Sequence, residues 1–127
     1  METKKQFKVL VVEDNAINQL LISTILNLEG FKVVVADNGN IAIDIFIKSD
    51  FDIILMDLMM PEMNGYDATE YIRKKLTDKK STIPIIAVSA DVSKDVKDKC
   101  KAVGMNDFIS KPYDAKHLLQ IINKTIC

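Results

Sequence analysis

The sequence predicts an α/β protein: a single doubly wound (βα)5 domain, with a five-stranded parallel sheet of order 2-1-3-4-5 and helices on both faces. Three observations lead there. Short apolar runs alternate five times with helix-length amphipathic stretches. The runs are rich in Val and Ile and are continuous rather than alternating, which is the pattern of strands covered on both faces. The chain has 127 residues, 48% apolar and 28% charged, which suits one globular domain and excludes global disorder.

The first run, residues 7–12, is followed at once by Glu13 and Asp14. In the stretch 15–29, Ile17, Leu21, Ile25 and Leu28 share one helical face, which is the expected core face, and Gly30 is placed to end the helix. The second run, 32–36, leads to a shorter helical stretch, 41–48, whose expected core contacts are Ala42 and Phe46. The third run, 52–56, meets Asp57. Beyond it Asn64 and Gly65 mark a turn and a helix start, and Ala68, Ile72 and Leu76 recur four apart. Residues 77–82 are the most linker-like segment. The fourth run, 84–88, meets Ser89, and Val92, Val96, Cys100 and Val103 then repeat at helical spacing before Gly104. The fifth run, 106–109, passes through Ser110 to Lys111 and Pro112. Asp114 is the expected N-cap of a closing helix with Ala115, Leu118, Ile122 and Ile126 on one face.

Charge and composition exclude several classes. Lys plus Arg total 17 and Asp plus Glu 18, so the net charge of -1 argues against direct nucleic-acid binding. The longest apolar stretches, such as 9–12 and 53–56, are too short to insert in a membrane, and the polar start (Met1, Glu2, Thr3, Lys4, Lys5) gives no signal peptide. Two cysteines, Cys100 and Cys127, make neither a disulfide framework nor a zinc site, so a reducing, cytoplasmic compartment is expected. Cys100 reads as a small buried hydrophobe, Cys127 as a terminal residue without assigned purpose, and His117 as a surface or partly buried histidine.

The chemistry lies at the strand ends. In an open α/β sheet the carboxyl ends of the strands form the ligand crevice, centred where strand order reverses. The order 2-1-3-4-5 makes strands 1 and 3 neighbours about 4.8 Å apart, so Asp14 and Asp57 face one another, with Ser89 and Lys111 approaching from the next two strands. Clustered carboxylates repel, and a hard cation such as Mg²⁺ relieves the conflict. One carboxylate is then able to attack a phosphoryl group and form an acyl phosphate, with Lys111 and the cation neutralising the transferred oxygens and Ser89 donating a hydrogen bond.

The segments VLVVEDN (9–15), IILMDLMMPEMNGYDAT (53–69), PIIAVSA (84–90) and GMNDFISKP (104–112) together resemble a response-regulator receiver domain of the CheY-like type, across essentially the whole chain. The resemblance implies that residues 1–127 are one receiver domain with Asp57 as phosphoacceptor. It implies direct Mg²⁺ binding by Asp14 and Asp57, a further ligand from the Met59 backbone carbonyl, and a water-mediated contribution from Glu13. Lys111 would contact the phosphoryl group, with a cis bond to Pro112. Ser89 and Phe108 would be the switch pair, and Met59 and Asp91 lie where the family tunes dephosphorylation. EDNAINQLL (13–21) and the stretch 100–112 are similar to receivers of hybrid sensor histidine kinases, with Gln19 and Tyr113 as departures from that subtype. The implied partners are a sensor histidine kinase, a histidine phosphotransfer domain, or both. Oligomeric state stays open, and the location is cytoplasmic or tethered through a longer sensor kinase.

Other readings compete. A stand-alone single-domain regulator or a domain of a longer kinase both suit a chain that stops after its last helix. An aspartate-nucleophile phosphatase would carry a second Asp two positions after Asp57, where Met59 stands. A docking pseudo-receiver would need no acidic crevice. Met56, Met59, Met60 and Met63 read as gap-filling side chains rather than a soft-metal site. The charges of 94–101 read as a solvated helical face, with pairs Lys94–Asp98 and Asp95–Lys99 worth ~0.2–0.5 kcal/mol each.

Overall fold

The computed structural model describes residues 6–60 and 63–126. The polar N-terminal segment and Cys127 lie outside the described residues. The strands are β1 (Lys8–Val12), β2 (Lys32–Ala36), β3 (Ile53–Asp57), β4 (Ile85–Ser89) and β5 (Asp107–Ser110), all parallel and ordered β2-β1-β3-β4-β5. The helices are α1 (Ala16–Leu28), α2 (Gly39–Lys48), α3 (Gly65–Lys75), α4 (Asp78–Ser81), α5 (Lys94–Val103) and α6 (Ala115–Ile126).

Every residue of β3 and β4 is buried, because helices cover both faces of these central strands. On the edge strand β2 the run Val33–Val35 is only half-buried. Side chains that alternate along each strand sort the core into two layers. Leu10, Val12, Ile54, Met56, Ile85 and Ala87 meet Ala42 and Phe46 of α2, Ile72 of α3 and Cys100 of α5. Val9, Val11, Ile53, Leu55, Ile86 and Ile109 meet Ile22 and Leu26 of α1 and Leu118, Ile121 and Ile122 of α6.

Helix starts follow from short polar caps. Asn15, Asn38, Asn64 and Ser93 each accept a hydrogen bond from the backbone N–H three residues on, and Asp114 does the same for His117 at 2.7 Å. Each such cap contributes about 1 kcal/mol. Gly104 ends α5 in the left-handed region at φ 101°, which favours glycine.

The structure corrects five local expectations. The apolar face Ile17, Leu21, Leu28 of α1 is outward, with Ile17 77% and Leu28 82% exposed, and Ile22 and Leu26 are the core contacts. Helix α1 carries apolar residues on more than one face, so spacing alone does not say which one meets the sheet. Val92 precedes α5 and is exposed, and Ala115 is exposed where Ile121 joins the α6 core face instead. The stretch 77–82 contains the short helix α4. Lys94 pairs with Asp98 at 2.7 Å, but Lys99 lies over the Tyr66 ring at 4.3 Å. Among the described residues no helix is long and apolar enough to cross a membrane.

Candidate functional site

The C-terminal ends of β1, β3, β4 and β5 converge at the point where the strand order reverses. Glu13 continues the β1–β2 ladder, its N–H donating to Ala36 O at 3.0 Å. Its Oε2 accepts from the Asn15 N–H at 3.1 Å. Asn15, not Asp14, caps α1, which leaves the exposed Asp14 carboxylate to the crevice. Asp57 is the last residue of β3, and its Oδ1 accepts from the Met59 N–H at 3.0 Å.

Glu13, Asp14 and Asp57 each bring a carboxylate oxygen within 4.8 Å of the others. Two of them are out of water: Glu13 is 2% and Asp57 5% exposed. Lys111 answers this charge, its Nζ lying 3.0 Å from Asp57 Oδ2 and 3.2 Å from Glu13 Oε1. The lysine backbone N–H donates to Ser89 O at 2.8 Å, and its peptide bond to Pro112 is cis. Burial, with the Asp57 charge as a smaller contribution, holds Glu13 above its ordinary pKa of 4.5 against the Asn15 N–H and Lys111. Burial opposes the charge on Lys111, but the hydrogen bond and charge of Asp57, then Glu13, outweigh it and hold the ammonium above its ordinary value. One cation among three acids leaves net negative charge, and an all-oxygen donor set of this kind suits a hard divalent metal ion.

The other candidates sit around this centre. Ser89 is buried at the end of β4, and its Oγ accepts from the Asp91 N–H at 3.0 Å. Phe108 lies on β5, half-buried against the α2/α3/α5 layer, with Lys97 Nζ 5.7 Å above its ring. It is therefore on the α5 side of the sheet rather than at the acids. Met59 follows β3 with its side chain 75% exposed, so it is not gap-filling, unlike the buried Met56 and Met60.

Three residues matter more here than their sequence signals suggest. The Gln19 amide donates to Glu13 O at 2.6 Å and to Asp37 Oδ1 at 2.7 Å, tying α1 to the ends of β1 and β2. Gly65 is required by close approach: a Cβ there would collide with the Asp57 carbonyl and meet Met56 Cγ at 3.0 Å. Tyr113 is half-buried beside the crevice, and burial, then the charges of Glu13 and Asp57, raise its phenol pKa. The first and third were readable only as departures from the hybrid-kinase receiver pattern, and the second only as a turn glycine.

A doubly wound parallel sheet with an acidic, lysine-bridged crevice at its switch point defines a CheY-like α/β domain. The chain belongs to the response regulator receiver domain family, whose model matches residues 9–123. It is 42% identical over 125 residues to hybrid signal transduction histidine kinase I of Dictyostelium discoideum, a match covering 94% of this chain and 7% of that protein. It is 37% identical over 118 residues to the sensor histidine kinase GacS of Pseudomonas protegens, covering 92% of this chain and 13% of that protein. The chain thus spans a small fraction of these relatives. Among solved structures, chemotaxis protein CheY4 of Vibrio cholerae superposes with a TM-score of 0.89 at 28% identity, covering 95% of this chain and 99% of that one. The receiver domain of a Pseudomonas aeruginosa sensor histidine kinase, solved with a magnesium ion coordinated in the active site cleft, gives 0.87 at 33% identity, covering 96% of this chain and 98% of that one.

Proposed function

We propose that this receiver domain accepts a phosphoryl group on Asp57 from a phosphohistidine, and that the acyl phosphate switches a partner-binding surface. The observation that carries this reading is the Lys111 ammonium bridging Asp57 Oδ2 and Glu13 Oε1 inside a three-acid crevice. An acid destined for attack must stay ionised and close to a cation that then follows the transferred oxygens.

Asp14 and Asp57 would hold Mg²⁺ directly, with the Met59 carbonyl as a further ligand and Glu13 acting through water. Bound there, the ion supplies charge neutralisation for the acids and the phosphoryl oxygens. The chain's own residues do the rest. The Met59 N–H orients the Asp57 carboxylate. Lys111 holds it and stabilises the product. The Ser89 hydroxyl, one residue beyond the Asp57–Val88 register, supplies a hydrogen bond to the phosphoryl group. Ser89 and Phe108 form the switch: the hydroxyl moves toward the phosphate and the ring turns inward behind it, biasing a pre-existing equilibrium. The half-buried ring, held by Lys97 of α5, supports this role.

The donor is a sensor histidine kinase or a histidine phosphotransfer domain, in keeping with the hybrid kinases among the relatives. The outward apolar face of α1 (Ile17, Leu20, Leu21, Leu28) supports a protein partner on that side. A cytoplasmic location and one phosphorylation per cycle, without turnover of a phosphoester substrate, belong to the same proposal. Met59 stands where a phosphatase of the aspartate-nucleophile kind would need a second acid.

The test is labelling by acetyl phosphate with Mg²⁺. One phosphoryl group per chain, labile to hydroxylamine and mapping to Asp57, is expected. No labelling with Mg²⁺ in excess would leave a docking pseudo-receiver as the better description.

A further inference from the structure

The acidic end of the sheet extends one strand beyond the crevice. Asp37 directly follows β2, whose last residue Ala36 lies opposite Val12 and accepts the Glu13 N–H at 3.0 Å. The Asp37 carboxylate is exposed and lies outside the group formed by Glu13, Asp14 and Asp57. Between Asp37 and Glu13 stands the half-buried Gln19, its Nε2 2.6 Å from Glu13 O and 2.7 Å from Asp37 Oδ1. A carbonyl oxygen and a carboxylate oxygen only accept, so the two contacts use both amide hydrogens. Two electron-rich oxygens thus converge on one nitrogen, an environment that would hold a cation as readily. Gln19 fills it with a neutral group. Among the described residues no ammonium or guanidinium pairs with Asp37.

We propose that Gln19 sets the divalent-cation affinity of the crevice by its neutrality. It satisfies the hydrogen bonding of Asp37 without cancelling its charge, so Asp37 acts as an outlying acid that attracts the ion without ligating it. The proposal rests on Mg²⁺ being held at Asp14 and Asp57, and goes on to say what tunes that binding. Ligation ends where contact ends, but Coulomb attraction falls only as the inverse of distance, and a doubly charged ion doubles it. An uncompensated carboxylate at the end of the neighbouring strand therefore still contributes. Lys111 already opposes the crevice acids from β5, with its Nζ 3.0 Å from Asp57 Oδ2 and 3.2 Å from Glu13 Oε1. A second cation at position 19 would cancel a further negative charge and leave less attraction for the metal. The amide holds the end of β1 in place through the Glu13 carbonyl and avoids that loss. Because Asp37 is exposed, its influence passes partly through solvent and is screened by salt.

Two variants read the charge from opposite sides. Gln19→Arg keeps N–H donors for both oxygens and adds a positive charge. Asp37→Asn removes the negative charge and keeps an oxygen that accepts from the Gln19 amide. The quantity measured is the Mg²⁺ dissociation constant, by isothermal titration at low and at near-physiological ionic strength. Each variant should raise it about three- to ten-fold at about 0.01 M salt, where the Debye length is about 30 Å. The gap to the parent should narrow to about twofold or less at about 0.15 M salt, where that length is about 8 Å. A loss of site geometry would not respond to salt in this way. Should the arginine not fold, Asp37→Asn carries the test alone, since its substitution lies at an exposed position. A parent-like constant in either folded variant at low salt, or a gap that salt leaves unchanged, would overturn the proposal while leaving Asp14 and Asp57 as ligands. A parent protein that binds no Mg²⁺ would instead remove the metal site itself, and this inference with it.

Discussion

Lys111 reaches across 54 sequence positions to place its Nζ 3.0 Å from Asp57 Oδ2, and the same atom lies 3.2 Å from Glu13 Oε1. The lysine is thus the counter-charge for two buried acids contributed by different strands. Each carboxylate is tolerable out of water only because it is paired and hydrogen-bonded.

Removing that counter-charge exposes the conflict. Lys111→Met should lower the unfolding free energy of the metal-free protein by about 3 kcal/mol, because two acids are left buried and uncompensated. Mg²⁺ should restore part of the loss. Urea denaturation with and without Mg²⁺ checks both; a metal-free stability equal to the parent's would mean that the bridge contributes nothing.

Asp57→Asn removes the proposed nucleophile and one charge of the acidic cluster. Labelling by acetyl phosphate should disappear, while the fold persists because the amide still accepts from the Met59 N–H. Asp14→Ala should leave the fold intact but weaken Mg²⁺ binding at least about tenfold, the effect expected from losing about 1.4 kcal/mol of ligand interaction. Isothermal titration gives the affinity directly, and an unchanged dissociation constant would deny Asp14 a ligand role.

Glu13 makes a prediction about pH. Its folded-state pKa lies above the ordinary 4.5, so the folded protein holds a proton that the unfolded chain releases. For such a group the contribution to stability is greatest below 4.5 and declines as pH rises through the folded value. Glu13→Gln should abolish that decline, so the variant gains on the parent as pH increases in the absence of metal. Parallel urea midpoints from acid to neutral pH test this, and a constant difference between the two proteins would contradict it.

Gly65→Ala tests close packing against the end of β3. The added methyl meets the Asp57 carbonyl and Met56 Cγ. A cost of about 1–3 kcal/mol is expected from overpacking, together with weaker Mg²⁺ binding as the end of β3 is displaced. A cost without any change in metal affinity would separate the packing role from the site.

The rotation of α1 gives a contrast between two leucines two positions apart. Leu26→Ala should cost about 2–5 kcal/mol, because Leu26 is fully buried. Leu28→Ala should stay within about 0.5 kcal/mol, because Leu28 is largely exposed. Denaturant unfolding of the two variants decides which face of the helix meets the sheet.

The strands and the site positions were legible because each carries a local signature. A run of Val and Ile that ends on a single polar residue marks both the strand and its carboxyl end, as with Ile53–Met56 before Asp57 and Ile85–Val88 before Ser89. The rotation of α1 was not legible, because Ile17 and Leu21 are as apolar as Ile22 and Leu26, and helical spacing serves either set. Nor was the need for glycine at position 65: its φ is ordinary, and the constraint comes from a carbonyl eight residues earlier in the chain.

The sequence by itself therefore determined the alternation of elements, the sheet class and the acids, hydroxyl and lysine that end the strands, since these depend on hydropathy period and residue type. Only the tertiary structure decided that Lys111 bridges Asp57 and Glu13, that Gln19 ties Glu13 to Asp37, that Phe108 lies on the α5 side, and that Tyr113 and Leu21 line a cleft shared with Lys111. Those relationships join residues far apart in the chain, and their distances exist only once the strands have paired in register and the helices have settled at particular rotations against the sheet.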